Sequence, residues 1–354
     1  MNAGPARSDG GAIIRGLDPR GILTVLQPTP DALLALLTRL AGGAAAPPAE
    51  CAELLGVAAA DLDGLMSVLV DYGVRRRRDG SLRIPGGLIL LDAQRMGARL
   101  ASEFAAPPAI DVLGVVGSTN DIARAHIESG RTEPRAILAE AQTAGRGRRG
   151  RAWSSPVAAN IYMSYLDAIG GGLDDARGLS LVTGIAVAEA IEAASGVDVR
   201  LKWPNDLLVG DRKLGGILVE LVLAGAGNAF GVLGIGVNVR VPVHVGAAID
   251  QPFIDLTEAA GGSIDRNDLA AAVVAHLHRY AADFRSRGFD EELQQRWQAR
   301  DPFLDRRVVA RSELGELRGV ARGIDANGAL VIETSTERVT VGAGNVSLRL
   351  EEHA

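Results

Sequence analysis

One cysteine in 354 residues, Cys51, leaves the chain without an internal disulfide or most thiolate metal sites, and suits a reducing compartment. Histidine is nearly as scarce. Its five copies show no ligand spacing, and His276 and His278, two apart on an expected helix, face different ways and read as surface or capping residues. No apolar run reaches the roughly 18 to 20 residues that cross a bilayer: the most apolar one, Leu179 to Ala188, stops at Glu189. Residues 1–30 mix Gly, Pro, Arg and Asp without the basic-then-apolar order of a secretory signal, and read as a poorly ordered extension of a cytoplasmic protein with no membrane partner. Excess positive charge is missing as well. The formal net charge of −6 argues against a surface coated for nucleic acid or anionic membrane, so a basic site must be local. Neither an internal repeat nor a G-x-x-x-x-G-K-[ST] phosphate loop occurs.

A local basic site is present. Gly145-Arg146-Gly147-Arg148-Arg149-Gly150-Arg151, followed by Trp153 and Pro156, sets four arginines among three glycines. The glycines let backbone approach a ligand closely, and guanidinium forks match carboxylate and phosphate. The spacing satisfies G-x-G-x-x-G, yet the helix that a dinucleotide fingerprint requires does not follow. The bland alternative is a solvated basic linker.

The periodicities divide the chain into a short helical part, a long mixed part and a short β part. Leucines at 33, 34, 36, 37 and 40, then segments around Cys51 and from Ala58 to Tyr72, predict three helices, and Val74 to Ile84 around Asp79-Gly80 predicts a hairpin with a type I′ turn. Residues 31–88 thus read as a winged helix-turn-helix. Residues 89–300 carry strands at Leu113–Val116, Ile137–Ala141, Asn160–Tyr165 and Gly231–Val239, and a hairpin whose arms are Val199–Val209 and Leu214–Leu221. Helices are expected after Ser118-Thr119-Asn120, where Ser or Thr can cap, and at Leu179–Ala194, Arg266–Arg287 and up to Trp297. Helices set between antiparallel strand pairs favour α+β over a doubly wound sheet. Residues 303–354 hold five short strands, the pattern of a small barrel.

With these segments in order, the sequence resembles the biotin protein ligases of the bifunctional type that also represses the biotin operon. The resemblance rests on Ser118-Thr119-Asn120, on Gln142 with Gly145 to Trp153, on Lys202-Trp203-Pro204-Asn205-Asp206, on Lys213 to Glu220 and on Gly234-Ile235-Gly236-Val237-Asn238. It implies a catalytic domain like that of class II aminoacyl-tRNA synthetases, an N-terminal winged helix and a C-terminal SH3-like barrel. It also implies two steps: biotin and ATP give biotinyl-5′-AMP, and a lysine of a biotin carboxyl carrier protein takes the biotin.

The roles follow from the resemblance. Lys202, Arg146 and Arg148 would be catalytic. Ser118, Thr119, Asn120, Gln142 and Gly147, with those three cations, would bind biotin. Gly145, Arg151, Trp153, Lys213 and Asn238 would bind ATP and the adenylate, and Asn205 or Asp206 would hold Mg²⁺. A ligand-promoted homodimer and operator DNA are the further partners implied, with Arg75, Arg76, Arg77 and Arg78 of the wing as the DNA-facing cations. The helix that would enter the groove departs from that expectation. No Lys or Arg lies between Leu40 and Val74, whereas Glu50, Glu53, Asp61, Asp63 and Asp71 do, so poor sequence-specific DNA binding is expected.

Overall fold

A computed structural model describes residues 28–170, 172–224, 228–312, 315–344 and 346–351. The extension expected over residues 1–30 lies outside these except for its last three. The chain divides into two units.

The first unit takes the described residues up to Leu90, with Pro156–Ala158 and Val241–Ala248. Thr29 caps α1 (Pro30–Leu40) by accepting from the Ala32 N–H, and the leucines at 33, 36, 37 and 40 form its buried face. Gly56 ends α2 (Pro48–Leu55) in the left-handed conformation, and α3 (Leu62–Asp71) buries Leu62, Leu65 and Leu69. β1 (Arg75–Arg76) then pairs antiparallel with β2 (Leu82–Arg83). The turn between them differs from the type I′ expectation. Arg77 N–H donates to Ser81 O and Gly80 N–H to Arg77 O, so three residues span the tip and only Gly80 (φ 84°) is left-handed. Asp79 keeps an ordinary φ because its carboxylate accepts from the Ser81 N–H and hydroxyl.

The second unit is built on a seven-stranded mixed sheet in the order β3-β4-β5-β9-β8-β7-β6. Its elements are α4 (Ala93–Glu103), β3 (Ala109–Val116), α5 (Thr119–Glu128), β4 (Arg135–Gln142), β5 (Ile161–Ala168), α6 (Leu179–Ser195), β6 (Arg200–Lys202), β7 (Asp206–Val209), β8 (Arg212–Ala224) and β9 (Asn228–Val237). The α7 turn (Val243–Gly246) belongs to the first unit, where the His244 ring and N–H both reach Asp71 Oδ2, at 2.6 and 3.1 Å. α8 (Leu256–Ala260), α9 (Arg266–Arg287) and α10 (Glu291–Gln298) complete the helices. Only β3 and β4 run parallel, so the α+β reading holds. α5 covers one sheet face through Ala123 and Ile127 against Leu166 and Val232, whereas α6 and α9 join the larger apolar core with Met163 and Tyr165.

Two expectations change. The arm predicted from Val199 to Val209 is broken at Trp203-Pro204, a cis peptide, into β6 and β7, which pairs Lys202 with Asp206 across a second hairpin. His278 is half-buried with its Nδ1 2.9 Å from the Tyr165 hydroxyl, so it is neither a surface nor a capping residue; His276 bonds back to Ala272 O of its own helix. Downstream, β10 (Arg307–Ser312), β11 (Gly315–Ile324), β12 (Leu330–Glu333), β13 (Arg338–Val341) and β14 (Ser347–Leu350) form an antiparallel sheet in the order β13-β12-β11-β10-β14. It is tied to the central sheet by the buried Trp203 indole, which donates to Gly328 O at 3.1 Å. Among the described residues no helix is long and apolar enough to cross a membrane.

Candidate active site

The loops that follow β4 and β6, the strands β8 and β9 and the first turn of α5 converge on one cavity of about 230 Å³. Its lining includes Ser118, Thr119, Asn120 and Gln142, four arginines of the glycine-rich loop, and Lys202, Asn205, Asp206 and Lys213. The whole chain has two lysines, Lys202 and Lys213, and both stand here.

The neutral side of the site is a bonded network. Ser118 occupies the N-cap position of α5 but makes no side-chain cap bond, which leaves its hydroxyl available to a ligand. Gln142 Oε1 accepts from the Thr119 N–H at 2.9 Å and its hydroxyl at 3.2 Å, and Gln142 Nε2 donates to Ser155 at 3.2 Å. Asn120 is buried. Its Nδ2 donates to Glu220 at 2.8 Å, and its Oδ1 lies 2.5 Å from the Ser164 hydroxyl. Gly234 makes room for this amide, since a Cβ there would lie 2.5 Å from Asn120 Oδ1. Gly236 likewise admits Trp153, whose ring would stand 2.5 Å from an added Cβ. Trp153 Nε1 is buried there without a partner, a donor left for a ligand.

On the charged side, Lys213 Nζ lies 2.7 Å from Asp206 Oδ1 and over the Trp153 ring, 5.6 Å from its centroid. Lys202 Nζ lies 5.5 Å from the Phe303 centroid. Burial pulls Lys202 below the ordinary lysine pKa; Asp206 opposes this, and Lys213, Arg349 and Arg151 add to it. Burial is also the first cause that lowers Arg148, with Arg149 adding and Asp206 opposing. Arg148 donates to Asn205 Oδ1 at 3.2 Å and to the carbonyls of Ala343 and Gly344, which ties the loop to the C-terminal sheet. Arg146 instead forms a two-pronged pair with Asp121, at 2.6 and 2.8 Å.

The loop between them is itself a small hairpin. Gly147 N–H donates to Arg151 O and Trp153 N–H to Gly145 O, and Arg149 (φ 60°) and Gly150 (φ 68°) form its left-handed tip.

Two residues expected at the site do not line the cavity. Asn238 is buried and turns its Nδ2 to Ile254 O at 3.2 Å, and its backbone is held between Leu214 and Leu256, so it braces the end of β9. Gly145 lies behind the lining, where a Cβ would meet Trp153 O, Ser155 Oγ and Gln142 Nε2 within 3.0 Å. Sequence reasoning quoted Glu220 in a motif without giving it a role, and missed Ser164, Asp121 and Arg349. For Ser164, a serine amid the apolar run of β5 was an available signal. Nothing local marks Arg349, which reaches the cavity because β14 runs past it.

A cavity that joins an amide-and-hydroxyl set to clustered cations suits a ligand with a neutral polar head and an anionic group. Family comparison makes this specific. Residues 112–238 match the biotin/lipoate A/B protein ligase family, and residues 303–349 match the biotin protein ligase C-terminal domain. The bifunctional ligase/repressor BirA of Salmonella typhimurium is 38% identical over 321 residues, 90% of this chain and 98% of its own length. The biotin–[acetyl-CoA-carboxylase] ligase of Mycobacterium tuberculosis is 34% identical over 244 residues, 67% of this chain and 88% of its own. Biotin protein ligase from Aquifex aeolicus, solved in complex with biotin and ATP, superposes with a TM-score of 0.57 at 27% identity over 68% of this chain and 99% of that one. The chain belongs to the biotin protein ligase family.

Proposed function

We propose that this chain joins biotin to a biotin carboxyl carrier protein through an acyl-adenylate. The carrying observation is one cavity that holds both a buried amide network and the only two lysines of the chain. In the first step a biotin carboxylate oxygen attacks the α-phosphorus of ATP, and the bond to pyrophosphate breaks. In the second the carrier lysine's amine attacks the acyl carbon, forms the amide, expels AMP and gives up its proton.

Ser118, Thr119 and Gln142 bind the ureido head, with Asn120 bracing them from beneath. Lys202 and Arg148 offset the repulsion between carboxylate and triphosphate, in a site where burial strengthens their field. Lys213 and Arg151 hold the phosphates, and Trp153 walls the nucleotide. For Mg²⁺, Asp206 commits Oδ1 to Lys213 and Asn205 commits Oδ1 to Arg148. That leaves Asp206 Oδ2 as the carboxylate oxygen that would hold the ion, with Asn205 able to reach it only by giving up Arg148, so Mg²⁺ would be held mainly by the nucleotide's phosphates. When bound, that ion neutralises phosphate charge. The test is transfer of labelled biotin to a carboxyl-carrier domain with MgATP; absence of label on the carrier lysine would refute the reading.

The first unit's residues 31–88 are read as a winged helix, residues 89–300 as a class II synthetase-like core and residues 303–354 as an SH3-like barrel. Beyond Ile217, which Asn205 still pairs, the outer edge of β8 has no partner among the described strands, and Leu221 and Leu223 are exposed there. This supports a homodimer that forms through the central sheet when the adenylate is bound. Support for specific operator binding is thinner. Arg76 is paired with Asp63 at 2.6 Å and Arg75 donates to the carbonyls of Val70 and Val74, so among the described residues Arg77, Arg78 and Arg83 are the exposed wing cations with neither contact.

A further inference from the structure

We infer that Asp121 is a competing counter-ion that holds Arg146 until an anionic ligand displaces it, and so sets how tightly the enzyme takes such a ligand. This rests on the proposed ligase activity and on the role the family resemblance implies for Arg146, a cavity-lining residue, as a contact for the biotin carboxylate or the adenylate phosphate.

The two terminal nitrogens of Arg146 meet the two oxygens of Asp121 at 2.8 and 2.6 Å, the geometry that a ligand carboxylate would itself adopt. Each charge holds the other ionised: hydrogen bonding to Arg146 is the first cause that lowers Asp121, and bonding to Asp121 the first that raises Arg146. Among the described residues no other acid forms an ion pair with Arg146, and Glu220 acts on it only as a more distant charge. Glu220 is spent on Asn120 Nδ2 at 2.8 Å and Arg124 at 3.0 Å. Asp206, the one acid among the described lining residues, is paired with Lys213.

The Arg146 backbone is already held, by bridge pairing with Ala152 at the neck of the loop. Delivery of its charge to a ligand is therefore a side-chain swing, not a rebuilding of the loop. With Asp121 in place, neighbouring arginines do not face an uncompensated Arg146. An entering anion must displace that carboxylate, which lowers its net affinity. The pair is partly exposed, at 35% and 51% of side-chain area, so the exchange is weakly opposed and reversible.

The test measures binding of biotin and of biotinamide, which lacks the carboxylate, to the full chain and to Asp121→Asn, Asp121→Ala and Arg146→Ala. Removal of the Asp121 charge should tighten biotin by about two- to five-fold, the range of a partly exposed ion pair, and leave biotinamide unchanged. Arg146→Ala should weaken biotin alone, and Asp121→Asn added to it should have no further effect. A purely structural role for Asp121 would move both ligands together. If Arg146→Ala weakens biotin while both Asp121 variants leave it unchanged or weaker, the counter-ion role is overturned. If Arg146→Ala has no effect on biotin, the fault lies in the Arg146 assignment beneath it, and the inference falls with it.

Discussion

Asp301→Asn should stabilise the protein at neutral pH, an unusual outcome for a substitution at a buried polar site. Asp301 is 9% exposed, its Oδ1 accepts from the Phe303 N–H at 2.9 Å, and its Oδ2 is buried without a partner. Burial raises its pKa from 3.8 to about 6, opposed only by that one backbone bond. Between these values the folded chain keeps a proton that the unfolded chain has lost, so stability falls as pH rises through the window. Above pH 6 the full cost is in place, about 3 kcal/mol for a shift of about two units. Asparagine keeps the Oδ1 acceptor and removes the charge, and its Nδ2 inherits an unpartnered position that the wild-type Oδ2 already occupies. The gain should be up to about 3 kcal/mol at pH 7.5 and should shrink to nothing as pH falls toward 4. Urea unfolding of both proteins from pH 4.5 to 8 measures this. Equal stability at pH 7.5, or a gap that widens toward acid, would refute the reasoning. Adenylation should stay within a few-fold, because the turn that sets Phe303 beside Lys202 is retained.

Lys202→Ala should slow single-turnover adenylation by roughly 10²- to 10³-fold, and a rate within a few-fold of wild type would remove Lys202 from its role. Because burial depresses Lys202, the wild-type rate should fall on the alkaline side at a pH below 10.5, as the ammonium is lost, and Lys202→Arg should move that limb upward. Arg148→Gly frees the loop from Asn205, Ala343 and Gly344, and should release biotinyl-5′-AMP to label added serum albumin; the mutant itself should stay sparsely labelled, since its two lysines both lie in the cavity. Equal albumin labelling by mutant and wild type would count against a retaining loop. For the first unit, the adenylate complex should prefer a biotin-operon promoter over scrambled DNA by far less than the ~10³-fold of a true repressor; a preference of that size would refute this, and loss of residual binding on replacing Arg75 to Arg78 would mark it as phosphate contact.

Much of this was legible in the chain because it is local. The leucine stripe of α1, the Arg266–Arg287 helix and the five short C-terminal strands follow from periodicity, which depends only on neighbours a few residues apart. The motif residues around Lys202 and the arginine loop could be picked out by type and spacing, and the fold brings most of them to one cavity. What periodicity could not reach was decided by partners distant in sequence. A single predicted arm is divided into β6 and β7 at Trp203, whose indole is held by Gly328 O, 125 residues on. Asn238, apt by motif for a nucleotide, turns its amide to Ile254 O, and its backbone is held on either side. Arg146 and Arg148, equivalent as letters in one run, received different partners, Asp121 for one and Asn205 with the Ala343–Gly344 carbonyls for the other. Sequence alone determined which side chains could carry charge to a ligand; the tertiary structure decided where each charge is held, because a guanidinium takes the nearest acceptor that the fold presents, whatever its distance along the chain.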